Sequence, residues 1–336
     1  MGLVGLALLA WLVHEAGVDE LGRRLAELGP LAPLALAPYA LASLCDARGW
    51  RAVLRAFDIE VPFVRLWLVR LAGEAVNSVV PTGVGGEPLK VLLLRADGVS
   101  ASALSAAVVV SRTIVMIAQA LLVVLGVGAL LARLGWTLEA PIAVAGLIVL
   151  AGVFGLVLVR VQQRGLGRVL ARALAWVLPS GRLGGRVNRM ATALDARLAW
   201  VYESARVPLL VAMAWHMLAW LVTAAEVWVV LRLLRAPVSW GDALIVEGLA
   251  QPIRATCIIV PGALGTQEGG GVAVCRWLGV APAAGLALWL VVRARETLFD
   301  AIGLLYLAVK SPRAAARAKP CATAGSQIST STTTPK

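Results

Sequence analysis

Residue types suited to binding a charged ligand are concentrated in two short segments that interrupt apolar stretches of the sequence. The first segment reads VVPTGVGGEP (79–88) and the second reads IVPGALGTQEGG (259–270). Proline ends a helix because it lacks a backbone N–H, and glycine permits dihedral angles that other residues avoid. The amides freed in this way, together with the N-terminus of a following helix, favour an anion such as phosphate. We therefore predict an anion-binding break at each segment, with a helix kink that only serves packing as the alternative.

Two arginines within apolar runs extend this predicted site: Arg112 follows SALSAAVVVS, and Arg293 follows LALWLVV. An unpaired charge at the bilayer centre costs roughly 2.5–3.5 kcal/mol, so both should face the protein interior. Glu87 and Glu268 are the candidate partners, either within each segment or crosswise, and would release the arginines when a lipid arrives. Ion pairs that only fix helix register are the alternative. The predicted substrate-binding residues are Asn77, Pro81, Gly83, Gly85, Gly86, Glu87 and Arg112 in the first half, and Pro261, Gly262, Gly265, Gln267, Glu268 and Arg293 in the second.

Further polar residues are spaced so that they share helix faces beside the two breaks. Glu74 and Asn77 are three positions apart, and Glu247, Gln251 and Arg254 follow each other at spacings of four and three. Residues at such spacings lie on one side of a helix. The pattern predicts a water-lined cavity, with a solvated face at the membrane interface as the alternative. The candidate relay or gating residues are Glu74, Glu226, Glu247, Gln251, Arg254, Arg295, Glu296 and Asp300.

The composition indicates the class of protein that must position these residues. Of the 336 residues, 60% are hydrophobic and 15% are charged, and the mean hydropathy is +0.85. A soluble protein of this size has too little interior to bury so many apolar side chains. The sequence therefore predicts an all-α polytopic membrane protein. The net charge of +12 resides in segments between apolar runs, which indicates membrane topology and lipid contact and argues against a nucleic-acid partner.

The apolar runs predict about six full spans and two broken or re-entrant helices. The spans are expected at about 1–14, 31–47, 101–131, 138–160, 207–232 and 282–309. The segments 61–80 and 240–260 end at Val-Pro and lead into short helices at about 87–95 and 268–278. Irregular backbone at membrane depth is tolerated only where protein or water covers it. We divide the chain into a first membrane half (1–160), a linker (161–206), a second membrane half (207–310) and a disordered tail (311–336).

The basic residues predict which ends of the spans are cytoplasmic. The linker 161–206 is amphipathic and rich in arginine, and the tail 311–336 carries basic but no acidic residues. Both are expected in the cytoplasm, as is the segment 48–98, because Lys and Arg concentrate on that side of a membrane. The basic linker is also expected to contact anionic lipid head groups.

An internal repeat relates the two breaks. Val80-Pro81 recurs as Val260-Pro261 at an offset of 180. Glu87 recurs as Glu268 and Arg112 as Arg293, both at an offset of 181. Three predicted spans separate the copies, and an odd number of spans inverts the second copy relative to the first. Inverted repeats with broken helices are typical of transporters that bind their substrate near the bilayer midplane.

The sequence lacks patterns typical of catalytic or metal centres. It contains no GxSxG, HExxH, P-loop or dinucleotide-binding fingerprint, and its four cysteines have no ligand spacing. The chain has only two histidines, which argues against a histidine-rich metal centre. We interpret His216 as a histidine of the protein core. We predict no metal, no cofactor and no enzymatic activity.

The segments NSVVPTGVGGEPLKVLLL, SAAVVVSRTIVMI and IIVPGALGTQEGG resemble the flippase-like family, the membrane region found in lysylphosphatidylglycerol synthases and their stand-alone relatives. The resemblance covers about residues 1–310, and VPGALGTQEGG with LVVRARETL is most similar to the hopanoid-biosynthesis-associated branch. It implies a protein of the bacterial cytoplasmic (inner) membrane that moves a lipid between leaflets. The linker 161–206 is too short and arginine-rich to be an aminoacyl-transfer domain, so lipid aminoacylation is not expected of these residues.

The leading hypothesis is a lipid flippase or transporter for a phospholipid or a hopanoid. One alternative is a membrane scaffold that docks lipid-biosynthesis enzymes, and a weaker one is an intramembrane enzyme that modifies a lipid. A transporter changes only the leaflet that holds the lipid, an enzyme changes the lipid, and a scaffold tolerates neutral residues at the two arginines. The expected partner is a membrane lipid; lipid-biosynthesis proteins and further copies of the chain stay open as partners.

Overall fold

In the computed structural model, the protein is built from helices. The structure describes residues 10–80, 85–95, 99–135, 139–177, 181–256 and 265–317, and no strand occurs within these ranges. Long apolar runs favour this all-α outcome. In a helix, each backbone polar group finds its hydrogen-bond partner within the same segment. The predicted fold class, an all-α membrane protein, is confirmed at this level.

The helices follow each other with short connections. Their bounds are α1 (10–16), α2 (Val18–Leu28), a 3₁₀ turn (Gly29–Leu31), α3 (Ala32–Arg55), α4 (Phe63–Val79), α5 (Gly86–Arg95), α6 (Ala101–Leu134), α7 (Glu139–Gln163), α8 (Leu166–Val177), α9 (Gly181–Ser204), α10 (Arg206–Leu233), α11 (Trp240–Thr256), α12 (Thr266–Trp277) and α13 (Pro282–Arg317). The short helices α5 and α12 begin close to the predicted positions after the two breaks.

Three of the described helices are long and apolar enough to cross a membrane: α6, α10 and the part of α7 from Pro141 to Gln163. A fourth span is formed if α2 and α3, which meet at a bend of 74°, are counted together. On α7, large apolar side chains such as Ile148, Val149 and Leu150 are exposed, as expected for a helix surrounded by lipid. The remaining predicted spans stay predictions.

The two predicted breaks fall largely between the described ranges. The backbone before each break is helical, since α4 ends at Val79 and α11 at Thr256. Pro81, Gly83, Pro261 and Gly262 lie outside the described residues. At the other end of the chain, α13 runs to Arg317 and therefore continues past the predicted boundary at 310.

Three helix pairs make the most extensive contacts between described helices: α3 packs on α10, α4 on α13, and α6 on α11. Glycine permits two of these close approaches. A Cβ on Gly126 of α6 would lie 2.8 Å from the backbone oxygen of Leu244 and 3.0 Å from the Cα of Gly248, both on α11. A Cβ on Gly303 of α13 would clash with the backbone of Leu71 on α4. The charged residues of α4, α6, α11 and α13 are thereby held close to one another.

The linker region forms helices α8 and α9, which pack on each other and on the ends of α6 and α7. Asp195 of α9 accepts a 2.6 Å hydrogen bond from the Gly167 N–H at the start of α8. The Tyr202 hydroxyl donates to Gln162 Oε1 at 2.6 Å, and the Gln162 amide donates to the Thr113 hydroxyl on α6. These contacts fix the amphipathic pair against the membrane helices.

Candidate functional site

A charged cavity of about 330 Å³ lies between α3, α4, α5, α6, α10, α11 and α13. Aromatic residues, including Tyr39, Trp50 and Trp220, form part of its wall. Charged side chains dominate the rest of the described lining: Arg70, Lys90, Arg112, Arg254 and Arg295 as cations, and Asp46, Glu74, Glu87, Glu247 and Glu296 as carboxylates. So many charges inside an apolar helical protein are costly, which is typical of a functional site.

The first charged group joins three helices through Asp46 of α3. An Asp46 oxygen lies 2.6 Å from Arg70 Nη2 on α4, and its other oxygen lies 2.8 Å from His216 Nδ1 on α10. His216 is buried, and Arg70 also donates to the Ser43 hydroxyl at 3.3 Å. The group ties α4 to the α3–α10 pair and holds the Arg70 guanidinium at the cavity wall.

The second charged group centres on Lys90 of α5, whose side chain is nearly fully buried. Its ammonium lies 2.8 Å from Glu74 on α4 and 3.1 Å from Glu87, one turn away on its own helix. The Asn77 Oδ1 accepts a 2.7 Å hydrogen bond from the Gly86 N–H and so fixes the start of α5. Glu87 therefore pairs with Lys90, where the sequence predicted Arg112 as its partner.

Gly86 is required for the approach of α5 to α4. A Cβ at this position would overlap the backbone oxygen of Gly73, so any larger residue would force the two helices apart. At Gly85, a Cβ would lie 2.9 Å from Val80 Cγ2. The glycines of the first break therefore serve close packing in the part that the structure describes.

Arg112 of α6 differs from the other cations of the cavity. Its side chain is exposed into the cavity, and no described residue lies within hydrogen-bonding or ion-pairing distance of its guanidinium. A guanidinium presents five N–H donors in a planar fork and suits a phosphate or carboxylate. Arg112 can therefore receive an anionic group without first giving up a protein partner.

In the second half, Glu268 and Arg293 form the predicted pair. Arg293 donates from Nε at 2.8 Å and from Nη2 at 2.6 Å to Glu268 Oε1. The other Glu268 oxygen accepts the Gly265 N–H at 2.7 Å, which caps α12. Gly265 has φ +76°, a conformation that favours glycine. Glu268 is buried, and neither Glu268 nor Arg293 belongs to the described cavity lining.

Two more ion pairs close the cavity beside α13. Arg295 lies 2.6 Å from Glu226 of α10, both side chains being buried, and its guanidinium stacks 3.7 Å from the Tyr39 ring centre. Arg254 of α11 lies 3.5 Å from Glu296. These contacts connect α10, α11 and α13 at one wall of the cavity.

An amide chain connects α6 to α11. The Gln119 amide donates to Gln251 Oε1 at 3.1 Å, and the Gln251 amide donates to Glu247 Oε1 at 2.9 Å. Glu247 and Gln251 are buried. The predicted shared face of α11 is thus turned toward the cavity.

The structure brings many of the predicted residues together, although not all of them line the cavity. Eight do so: Glu74, Glu87, Arg112, Glu247, Gln251, Arg254, Arg295 and Glu296. Nine described residues lie outside the lining: Asn77, Gly85, Gly86, Gly265, Gln267, Glu268, Arg293, Glu226 and Asp300. The described residues contain no group of three or more His, Cys, Asp or Glu side chains placed to hold a metal ion.

Sequence reasoning missed several charged or aromatic residues of the cavity: Tyr39, Asp46, Trp50, Arg70, Lys90 and His216. A signal existed for Lys90, because the spacing of three from Glu87 places both on one face of a short apolar helix. Asp46 and His216 come from different helices, and only the packing of α3 on α10 brings them together.

The comparisons with known proteins give one result for nearly the whole chain. The model of a family described as the lysylphosphatidylglycerol synthase TM region matches residues 2–303. No curated protein matches the chain. The match includes both predicted breaks and every residue of the charged cavity.

Proposed function

Since the chain belongs to the lysylphosphatidylglycerol synthase transmembrane-region family, we propose that it is a lipid flippase or transporter that holds a lipid head group in the charged cavity. The observation that carries the proposal is this cavity itself, about 330 Å³ in volume and lined by ten charged side chains within an apolar helical protein. The volume is at the lower end of the range for ligand sites, which suits a head group while the acyl chains stay in the membrane. Arg112 is the anion-binding residue of this proposal.

The proposed architecture has six full spans, two broken helices and an inverted repeat that relates α3–α6 to α10–α13. Three features support the repeat: the same order of long, broken and long helices, 17-residue helices before both breaks, and the packing of α4 on α13 and of α6 on α11. In such transporters, rocking of one half against the other opens the site alternately to each side. The Glu268–Arg293 pair would break and re-form during that motion.

The proposed location is the bacterial cytoplasmic membrane, with the linker 161–206 and the C-terminus in the cytoplasm. The arginines of the linker support this orientation, and exposed ones such as Arg164 and Arg172 are available to anionic head groups. An oligomer and contacts with lipid-biosynthesis proteins are compatible with this arrangement.

The proposed substrates are a phospholipid or a hopanoid, the second because of the resemblance to the hopanoid-associated branch. The charged cavity favours the phospholipid, since a hopanoid has little or no anionic charge to place against Arg112. A scaffold function would leave the unpaired cation in the cavity without a role, and an intramembrane enzyme would need a compact acid, base and nucleophile set.

A leaflet assay tests the proposal. The purified protein is reconstituted into vesicles with tail-labelled fluorescent phospholipids and a fluorescent hopanoid, and an impermeant quencher reports how much of each lipid reaches the outer leaflet. We expect transfer by the wild type and a loss of about tenfold or more in Arg112→Gln, because a charge-assisted hydrogen bond is removed. The matched control is Arg189→Gln, an exposed arginine outside the cavity. Folded protein that moves no lipid would favour the scaffold, and a chemically altered lipid would favour the enzyme.

A further inference from the structure

The charges of the cavity lining balance before any lipid enters. The described lining carries five cations and five carboxylates. Four of these carboxylates form ion pairs with lining cations, and Glu247 interacts electrostatically with Arg295. Glu226, outside the lining, is a further carboxylate beside Arg295. An anionic head group therefore brings an excess negative charge into an apolar protein, which is unfavourable unless a positive charge is added as well.

His216 is the group of the described lining that can supply this positive charge. The arginines and the lysine are already charged at neutral pH, and an adjacent cation favours the ionised form of a carboxylate. Histidine is the side-chain type that ordinarily changes its charge between about pH 5 and 8. The chain has one other histidine, His14, which is exposed on α1 and outside the lining. One proton on His216 would restore the balance for a head group with a single negative charge.

The surroundings of His216 suit a proton that is taken up during transport. Its Nδ1 lies 2.8 Å from Asp46 Oδ1, so this carboxylate is placed to stabilise an imidazolium. Donation from Nδ1–H to Asp46 leaves the lone pair on Nε2, which is buried and has no hydrogen-bond partner among the described residues. A Cβ on Gly49 of α3 would lie 2.6 Å from Nε2, so the ring packs directly on the α3 backbone. A proton reaches Nε2 only when the ring or the interface between α3 and α10 moves.

Charged groups face His216 from every helix around the cavity. On α3, Cys45 is a neighbour of Asp46, and Arg48 lies over the ring of Trp215 at 5.7 Å. On α10 itself, Glu226 is ten residues away, about 15 Å along the helix. The other lining groups are Arg70 and Glu74 on α4, Glu87 and Lys90 on α5, Arg112 on α6, Glu247 and Arg254 on α11, and Arg295 and Glu296 on α13. Since the lining cations and carboxylates are equal in number, an entering anion changes the charge balance that His216 experiences.

We propose that the protein moves a monoanionic phospholipid together with one proton, which Nε2 of His216 takes up when the head group enters the cavity. This inference deepens the proposed function and rests on it. The phosphodiester pairs with Arg112, and the imidazolium compensates the added charge. In the proposed rocking motion, α3 of the first half and α10 of the second half enclose the proton and later release it. Lipid and proton together carry no net charge, and a zwitterionic lipid needs no proton.

The first test follows tail-labelled phosphatidylglycerol and phosphatidylethanolamine in vesicles with an imposed pH gradient. With one proton per lipid, a gradient of one pH unit supports up to about a tenfold unequal distribution of phosphatidylglycerol between the leaflets. We expect this for the wild type and for His14→Gln, the matched control, but not for His216→Gln or for phosphatidylethanolamine. A membrane potential set with potassium and valinomycin should leave the distribution unchanged, because no net charge moves. Protein-free vesicles give the passive background.

A binding measurement separates this inference from transport. The soluble head group glycerophosphoglycerol is titrated calorimetrically into the detergent-solubilised protein in two buffers of different ionisation enthalpy, and the difference gives the number of protons taken up. An anion favours the imidazolium, so binding takes up protons, and we expect about half a proton or more per head group at a pH between about 6 and 8. Glycerophosphoethanolamine, and glycerophosphoglycerol with His216→Gln, should give no uptake. His14→Gln should behave as the wild type.

The outcomes distinguish the two proposals. Proton uptake on binding without lipid transfer supports the proton site and counts against transport only. Binding without proton uptake, uptake that persists in His216→Gln, or transfer of phosphatidylglycerol that follows the membrane potential and ignores the pH gradient overturns the inference while the proposed function stands. No binding and no transfer contradict both. Should His216→Gln not fold, the ¹⁵N signals of the wild-type imidazoles decide, with His14→Gln providing their assignment: the His216 signal must move toward the imidazolium when glycerophosphoglycerol is added.

Discussion

The Glu226–Arg295 pair provides a stability prediction whose size follows from its burial. The two side chains are 1% and 4% exposed, and the nitrogen and oxygen lie 2.6 Å apart. Removing one member of a buried ion pair costs about 3–5 kcal/mol, because the other charge is left uncompensated. In Glu226→Ala the remaining group is a guanidinium, which cannot lose its proton. Stacking on Tyr39 at 3.7 Å offsets at most about 2 kcal/mol of the loss.

The reverse substitution should be milder. In Arg295→Met the remaining Glu226 can become neutral by taking up a proton, and methionine fills much of the space of the arginine stem. We expect the double variant Glu226→Ala/Arg295→Met to be less destabilised than the sum of the single variants, with a coupling free energy of about 2 kcal/mol. The control Glu203→Ala removes an exposed carboxylate and should change stability by about 0.5 kcal/mol or less.

The assay is reversible unfolding of the reconstituted protein in mixed micelles with increasing fractions of a denaturing detergent. Midpoints and slopes give the free energy of unfolding for the wild type, the two single variants, the double variant and the control. Additive effects of the two substitutions, or a Glu226→Ala variant as stable as the Glu203→Ala control, would refute the assignment of a buried, energetically coupled pair.

The remaining predictions concern packing and the linker. Gly86→Ala should lower the free energy of unfolding by about 1–3 kcal/mol in the same assay, because the added Cβ meets the Gly73 backbone. Gly146→Ala is the control and should leave stability unchanged, because the space around Gly146 is free. Asp195→Ala should cost about 1 kcal/mol through loss of the cap at the start of α8, and should be seen as faster hydrogen exchange there. Burial raises the pKa of Tyr202 to about 12. The unfolded chain loses this proton at lower pH than the folded chain, so the free energy of unfolding should fall between pH 10 and 12. Tyr202→Phe should remove that part of the pH dependence, and an unchanged pH profile in the variant would contradict this.

The elements beside the breaks were predictable because proline and glycine leave clear local signals. The starts of α5 and α12 and the shared polar face of Glu247, Gln251 and Arg254 all follow from spacing along one helix. The pair between Glu268 and Arg293 was also predicted, since both residues recur at matched positions in the two copies. Seven of the ten charged residues in the described cavity lining were among the predicted residues.

Partner choice was not predictable where helices far apart in sequence compete. Glu87 pairs with Lys90 because α5 places them one turn apart. This contact forms within a single helix and does not depend on the position of α6. Arg112 is left without a described partner as a result. Asp46, Arg70 and His216 meet only through the packing of three helices, and no spacing along a single helix links them.

The central claim is that a lipid head group occupies the charged cavity. The most direct measurement is photocrosslinking in membranes with a phospholipid that carries a diazirine in its head group, followed by mass spectrometry of the labelled peptides. We predict adducts on α6 between Val108 and Gln119 and on α11 between Glu247 and Arg254, reduced in Arg112→Gln but not in Arg189→Gln. Adducts confined to lipid-facing residues of α7, such as Ile148 and Leu156, and equal in both variants, would contradict the claim.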